Sequence, residues 1–439
     1  MKYLNDTEMY KEAILNSKRK PRATGKEIPI LDFYSTFEVA TWIWYLTGNF
    51  PYIIRGSIGN RRYVFEKFIA GYNICLFLIS IGVCCLGLVE IVNFAGYYFI
   101  ISISATASLD NTLYATTLVL RFVTTLISTL NIVIIRFISA FEQFAAQDVF
   151  LQDFGCYLKY KLYKRIISCS TWLNTIIDVV LSFHYSWVYS VSDIRVLVFW
   201  SLWNVPNMMM STNINMFINL TMMLGIRFRV LNEKLYSIIA RTNASPPKVI
   251  FFSKNIGDNV RSVARVHYNL CNLARCINDS FKWNLVVNVI NAFTTVTGTL
   301  YAVFVEAQKG EEADQGLLIV YVHWIFIQSL PTVLSVLICS WTQNKAARAE
   351  KLLYKINVQE TDAGLYSAVR IFSMQMRHQK VSFTGAGLLP LDTTLLLSMV
   401  GAVTTYLVIL IQFYSMTKVY KEGLNRNVQN NTYGNYSRY

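Results

Sequence analysis

Four histidines among 439 residues leave little room for acid–base or metal chemistry. The chain has no Gly-x-Ser-x-Gly, no His-Glu-x-x-His and no glycine-rich phosphate loop, and Cys271-x4-Cys276 lacks the second pair of ligands that zinc needs. No catalytic residue, no metal and no cofactor is therefore expected. The chemistry open to the chain is recognition and permeation. Polar and aromatic groups stand inside long apolar runs: Arg121, His184, Tyr185, Trp187, Trp203, Asn207, Tyr301, His323, Trp324 and Gln328. Polar groups inside lipid are costly, so each is a candidate ligand contact. Each also has a plainer reading. Trp200 and Trp203 suit an interfacial belt, the histidines suit hydrogen bonds within a bundle, and Arg121 can pair with Asp110 or Asp178.

A second set of residues lies in 391–416. Thr394, Ser398, Gly401, Thr405 and Gln412 are spaced 4, 3, 4 and 7 apart, which puts them on one face of a helix that is otherwise apolar. Such a seam turns either to a neighbouring helix, where small and hydroxyl residues pack closely, or to water. In the second case it is a pore wall, with Ile409, Gln412 and Phe413 toward one mouth.

The elements that must carry these residues follow from composition. Hydrophobic residues make up 54%, charged residues 15%, and the mean hydropathy is +0.36. Soluble chains carry about 25% charge, so an all-α, polytopic membrane protein is expected. Seven apolar runs, at 64–92, 114–138, 167–192, 197–226, 284–307, 317–341 and 391–416, are long enough to cross a ~30 Å hydrocarbon core. If the N-terminus is cytoplasmic, 31 Lys and Arg fall on the inner side and 6 on the outer. That bias gives seven crossings, N-terminus in and C-terminus out, the reverse of a G-protein-coupled receptor. It also accounts for the net charge of +14 without nucleic acid as a partner. None of the eight cysteines falls in an outer loop, so no disulfide framework is expected. No cleaved signal peptide is expected either.

Residues 1–63 read as a cytoplasmic N-terminus whose stretch 33–54 is an amphipathic helix on the inner membrane surface, anchored by Trp42, Trp44 and Tyr45. Spans one to six, within 64–341, form the ligand-binding bundle, with helical extensions at 139–166 and 227–283 below the membrane. Ser245-Pro246-Pro247 divides the second extension into two arms. Residues 342–390 complete a cytoplasmic base, 391–416 is the last span and 417–439 an outer tail. With this topology the candidate contacts gather in roughly the outer third of the membrane. Asp178, Asn213 and Asn215 lie deeper and suit structural roles. Pro206 and Pro331 free backbone groups inside spans four and six.

Thr405-Tyr406, five apolar residues and Gln412-Phe413 resemble the signature of insect gustatory receptors. Phe383-Thr384-Gly385-Ala386-Gly387 is similar to the segment that leads into the last helix of that family, with Gly385 where alanine is usual. The resemblance implies a seven-helix, ligand-gated, non-selective cation channel in the plasma membrane of chemosensory neurons. It implies four subunits, alike or mixed with related receptors. Each gives its last helix to a central pore, with Gln412 and Phe413 at the outer gate. Membrane lipid, permeating cations and a small-molecule tastant are the expected partners. Leu407 stands where the main sugar-receptor branch carries glutamate. That leaves a bitter or other plant metabolite, or a sugar of the fructose type. An odorant-receptor-like channel and a secondary transporter are the alternatives, though no internal repeat favours the latter.

Overall fold

The computed structural model describes residues 33–57, 61–101, 123, 136–189, 205–244, 250–356 and 363–436. The expected second span, 114–138, lies outside these except for Val123 and its last three residues. Arg121, Asp110, Trp200, Trp203 and Ser245-Pro246-Pro247 lie outside them too. The described chain is built from nine α-helices and two short hairpins.

The first helix, α1 (Phe33–Leu46), buries Phe33, Phe37, Ala40 and Trp44, spaced 4, 3 and 4 apart along one stripe. It is shorter than the expected 33–54. Gly48 takes a left-handed φ of 78°, and the chain turns back as Asn49 N–H donates to Trp44 O at 2.9 Å. An antiparallel hairpin follows, β1 (Tyr52–Arg55) and β2 (Arg62–Phe65), with Tyr52 opposite Phe65. Trp44, expected as a membrane anchor, is fully buried among Phe37, Phe50 and Phe141. It points to the apolar stripe of its own helix, so it packs inward, while Trp42 faces outward at 58% exposure.

The helices α2 (Lys67–Ile101), α3 (Arg136–Asp153) and α4 (Tyr160–Tyr189) lead to the central bundle. That bundle is α5 (Val205–Ala244), α6 (Ile250–Ala307) and α7 (Gln315–Leu353). At ~1.5 Å per residue α6 is roughly 87 Å long, far more than a bilayer core needs. Its Ile250 half therefore continues beyond the apolar layer and packs with α3, α5, α7 and α8 (Ala363–His378). Among the described residues, four helices are long and apolar enough to cross a membrane: Val205–Ala240, Ile256–Ala307, Gln315–Leu353 and Thr393–Met416. Lys67–Gly82 is a shorter apolar helix. Gly225 sets the closeness of α5 to α7; a Cβ there would stand 2.1 Å from the Trp341 ring.

An ion pair is enclosed where α3, α4 and α5 meet. Arg227 Nη2 donates to Asp148 Oδ2 at 2.6 Å and Arg227 Nε to Oδ1 at 2.7 Å, with both side chains buried. Tyr160 Oη adds a bond to the same carboxylate at 2.8 Å, and Phe144 covers the guanidinium at 4.5 Å. Burial pushes the Asp148 carboxyl upward, against the pull of Arg227 and Tyr160.

Before the last helix, Phe383–Leu391 closes a tight hairpin of β3 (Thr384–Gly385) and β4 (Leu389–Pro390). Ala386 and Gly387 make its turn at φ 52° and 76°. Gly385 lies against α6, where a Cβ would meet Val286 at 2.9 Å. Phe383 is buried against Phe217 of α5, and Thr384 N–H donates to Asn278 Oδ1 of α6 at 2.9 Å. The hairpin thus pins the start of α9 (Thr393–Tyr436), which Asp392 caps by accepting from Thr394 N–H at 3.0 Å. The helix runs on through Tyr436, well past the expected end at 416.

Candidate functional site

The last helix is almost bare within its own chain. Only 6% of its apolar stretch is buried, against 78% for α5. It rests on α6 through Tyr406 on Phe293 and Tyr414 on Phe304, ring pairs at 5.7 Å each. Leu395, Met399, Val403, Leu410 and Tyr414 form its packed side. Thr394, Ser398, Gly401, Thr405 and Gln412 all lie on the opposite, exposed side. The Ser398 and Thr405 hydroxyls donate to Thr394 O and Gly401 O, each at 2.9 Å, which leaves oxygen lone pairs facing outward. Ile409 flanks the seam at 39% exposure. Phe413 is 59% exposed but, one residue beyond Gln412, lies roughly 100° round the helix toward the packed side.

A cavity of about 30 Å³ lies where α4, α5, α6 and α7 converge. Asp178, Asn207, Ser211, Asn288, Trp324 and Gln328 line it, with Met208, Met210, Ile327 and Pro331 as its apolar walls. Three expected contacts, Asn207, Trp324 and Gln328, are therefore brought together. Asn207 has both carboxamide atoms buried without a hydrogen-bond partner. The Gln328 Oε1 accepts from Asn291 Nδ2 at 3.1 Å, and Asn288 Nδ2 donates to Thr332 Oγ1 at 3.0 Å. Asp178, expected to lie deeper in a structural role, is the carboxylate of the cavity; Asn174 Nδ2 donates to it at 3.1 Å. No Lys, Arg or His pairs with it among the described residues.

The other expected contacts are elsewhere. His184 and His323 face each other with ring centroids 6.3 Å apart, both exposed and neither lining the cavity. Tyr301 is buried in α6 and does not line it. Tyr185 and Trp187 belong to α4, but their side chains lie outside those described, as do Arg121 and Trp203 altogether. Sequence reasoning did not single out Ser211 or Asn288. A signal existed for the second, since Asn284, Asn288, Asn291 and Thr295 repeat at 4, 3 and 4 along one face of α6.

Residues 38–417 match the family model described as "7tm Chemosensory receptor". Among proteins of Drosophila melanogaster, gustatory receptor 28b is 26% identical over 48% of this chain and 43% of its own length. The gustatory receptor for sugar taste 43a is 27% identical over 37% of each chain. The gustatory receptor for bitter taste 66a is 24% identical over 41% of this chain and 35% of its own. The matched stretches thus span less than half of each relative. The fold is similar to that of the insect olfactory receptor OR5 from Machilis hrabei, with a TM-score of 0.61 at 11% identity, covering 85% of this chain and 97% of that one. The same receptor solved in complex with eugenol gives 0.60.

Proposed function

Because this chain belongs to the 7tm chemosensory receptor family, and is thus a multi-pass membrane receptor and not an enzyme, we propose that it is a gustatory receptor acting as a tastant-gated, non-selective cation channel. It sits in the plasma membrane of chemosensory neurons, N-terminus in and C-terminus out, as a homotetramer or together with related receptors. Four copies of α9 line the pore. The observation that carries this reading is the seam of α9, which turns away from every packed contact of its own chain. An apolar helix that is 6% buried within its own chain leaves its apolar flanks to lipid and neighbouring subunits, while the polar seam meets water. Rings of Phe413 and Ile409 block ions by dewetting, and Gln412 with the outward hydroxyl oxygens lines the open path. The seam has no acidic ring, which accords with weak selection among cations.

The tastant occupies the site around Asn207, Trp324 and Gln328. A cavity of about 30 Å³ is an order of magnitude below the ~300–1,000 Å³ of sites for drug-sized ligands. Binding therefore selects a state in which α6 and α7 have separated, and the difference in affinity between the two states supplies the energy. Asn288 of the cavity and Phe293, on which Tyr406 of α9 rests, lie little more than one turn apart on α6. A shift of α6 thus carries the pore helix with it. Trp324 offers a stacking face and the carboxamides offer hydrogen bonds, a lining suited to a bitter or other plant metabolite or to a sugar of the fructose type. An odorant-like ligand is the second reading, supported by the fold shared with OR5. The test is current through cells expressing this chain alone, challenged with sugars, alkaloids and glycosides. Gln412→Ala and Phe413→Ala are expected to change basal or evoked current at normal surface expression. If both leave gating and permeation unaltered, α9 does not line the pore.

A further inference from the structure

The carboxylate of the cavity has no cationic partner among the described residues. Asp178 is 9% exposed. A carboxylate so enclosed is costly in its charged form unless a cation compensates it. The group that donates to it is neutral: Asn174 Nδ2 at 3.1 Å, whose own Oδ1 accepts from the Ser211 hydroxyl at 3.1 Å. Around the same space stand oxygens with spare lone pairs. The Asn207 Oδ1 is buried without a donor. The Asn288 amide nitrogen is spent on Thr332, which leaves its Oδ1 as the end available to the cavity. Ser211 Oγ donates to Asn174 and keeps its lone pairs.

We propose that this cavity binds a sodium ion, held by the Asp178 carboxylate with neutral oxygens of Asn207, Ser211 and Asn288. Size, charge and donor type agree. A water needs roughly 10–15 Å³ of such space, so a cavity of about 30 Å³ admits a small ion with one water and excludes a tastant in this state. One carboxylate balances one positive charge; a divalent ion would need a second acid, and none lines the cavity. Hard oxygen donors suit a hard cation. The bound ion ties α4 to α5 and α6, so it holds these three helices together around the cavity. The inference rests on the cavity alone and stands apart from the identity of any tastant.

The test uses the purified full-length receptor, with thermal unfolding followed at one pH and one ionic strength in sodium, potassium or N-methylglucamine chloride. Sodium is expected to raise the midpoint in a saturable way, while the other two give equal, lower midpoints. Asp178→Asn is expected to abolish the sodium effect. Ser211→Ala, a milder change, is expected to raise the half-saturating sodium concentration about tenfold, as loss of one supporting group does at metal sites. Equal midpoints in all three salts overturn the proposal, as does a sodium effect that survives Asp178→Asn or an effect matched by potassium. Stabilisation by methylammonium with none by sodium overturns it too, and assigns the carboxylate to an amine.

Discussion

Removing one partner of the Asp148–Arg227 pair should have a cost that depends on pH for one partner and not for the other. In Arg227→Met the carboxylate is left enclosed with only the Tyr160 hydroxyl. It escapes by taking up a proton. From an ordinary value of 3.8, protonation at pH 7.4 costs at most about 5 kcal/mol, and at pH 5.4 about 2 kcal/mol, at 1.36 kcal/mol per unit. The sign follows from proton counts: the folded variant holds a proton that the unfolded chain has lost, so stability rises as pH falls. In Asp148→Asn the guanidinium is left buried with Met223 O and the Phe144 and Phe33 faces. Arginine cannot shed its proton, so a cost of about 3–5 kcal/mol persists at both pH values. The double variant Asp148→Asn/Arg227→Met should recover most of the loss, since no lone charge remains. Unfolding of purified protein at pH 7.4 and 5.4, each variant read against the wild type at the same pH, measures all three. Equal costs of Arg227→Met at the two pH values, or a double variant as unstable as the sum of the singles, would refute this account.

Three further outcomes are expected. Burial lowers the pKa of His267 from 6.5 to about 4, so the folded state binds fewer protons than the unfolded one in that window, and stability present above pH 6.5 is lost as pH falls toward 4. Between pH 7.5 and 5 this amounts to about 2 kcal/mol, and His267→Phe, between Phe228 and Phe372, should lack that increment in the same unfolding assay. Gly225→Ala should destabilise by about 1–3 kcal/mol or more, because Trp341 and Thr342 stand within 2.7 Å of the new methyl and Thr342 is fixed by its bond to Thr221 O. A variant with normal surface expression and an unshifted melting midpoint would show that α5 and α7 part easily. Trp324→Ala should shift the potency of an activating tastant about tenfold or more while leaving ion selectivity unchanged; an unshifted dose–response curve removes Trp324 from the site.

Much of the architecture is local in origin and so was legible beforehand. Hydropathy over a window marks α5, α6, α7 and α9, because the cost of lipid-exposed backbone forces an apolar run of that length into a helix. The seam from Thr394 to Gln412 depends only on helical period, and the structure leaves all five residues on one exposed side. The turn that ends α1 was less legible. Aromatic content suggested a surface anchor, yet the spacing of Phe33, Phe37 and Trp44 already described a buried stripe, and Gly48 with Pro51 stops the helix before Ile54. The Phe383–Leu391 hairpin was visible as a motif, but its purpose, setting α9 against α6, came only from the packing of Gly385 on Val286.

The sequence by itself determined that the long apolar segments around α5, α6, α7 and α9 are helices, and which face of the last one is polar, because periodicity and hydropathy are properties of neighbouring residues. Only the tertiary structure decided which polar groups meet. Asp178 and Asn288 are 110 positions apart, Asp148 and Arg227 are 79 apart, and their encounters depend on the depth and rotation of one helix against another. Those are fixed by the summed packing of whole helix faces, as at Gly225 against Trp341, which no local pattern encodes.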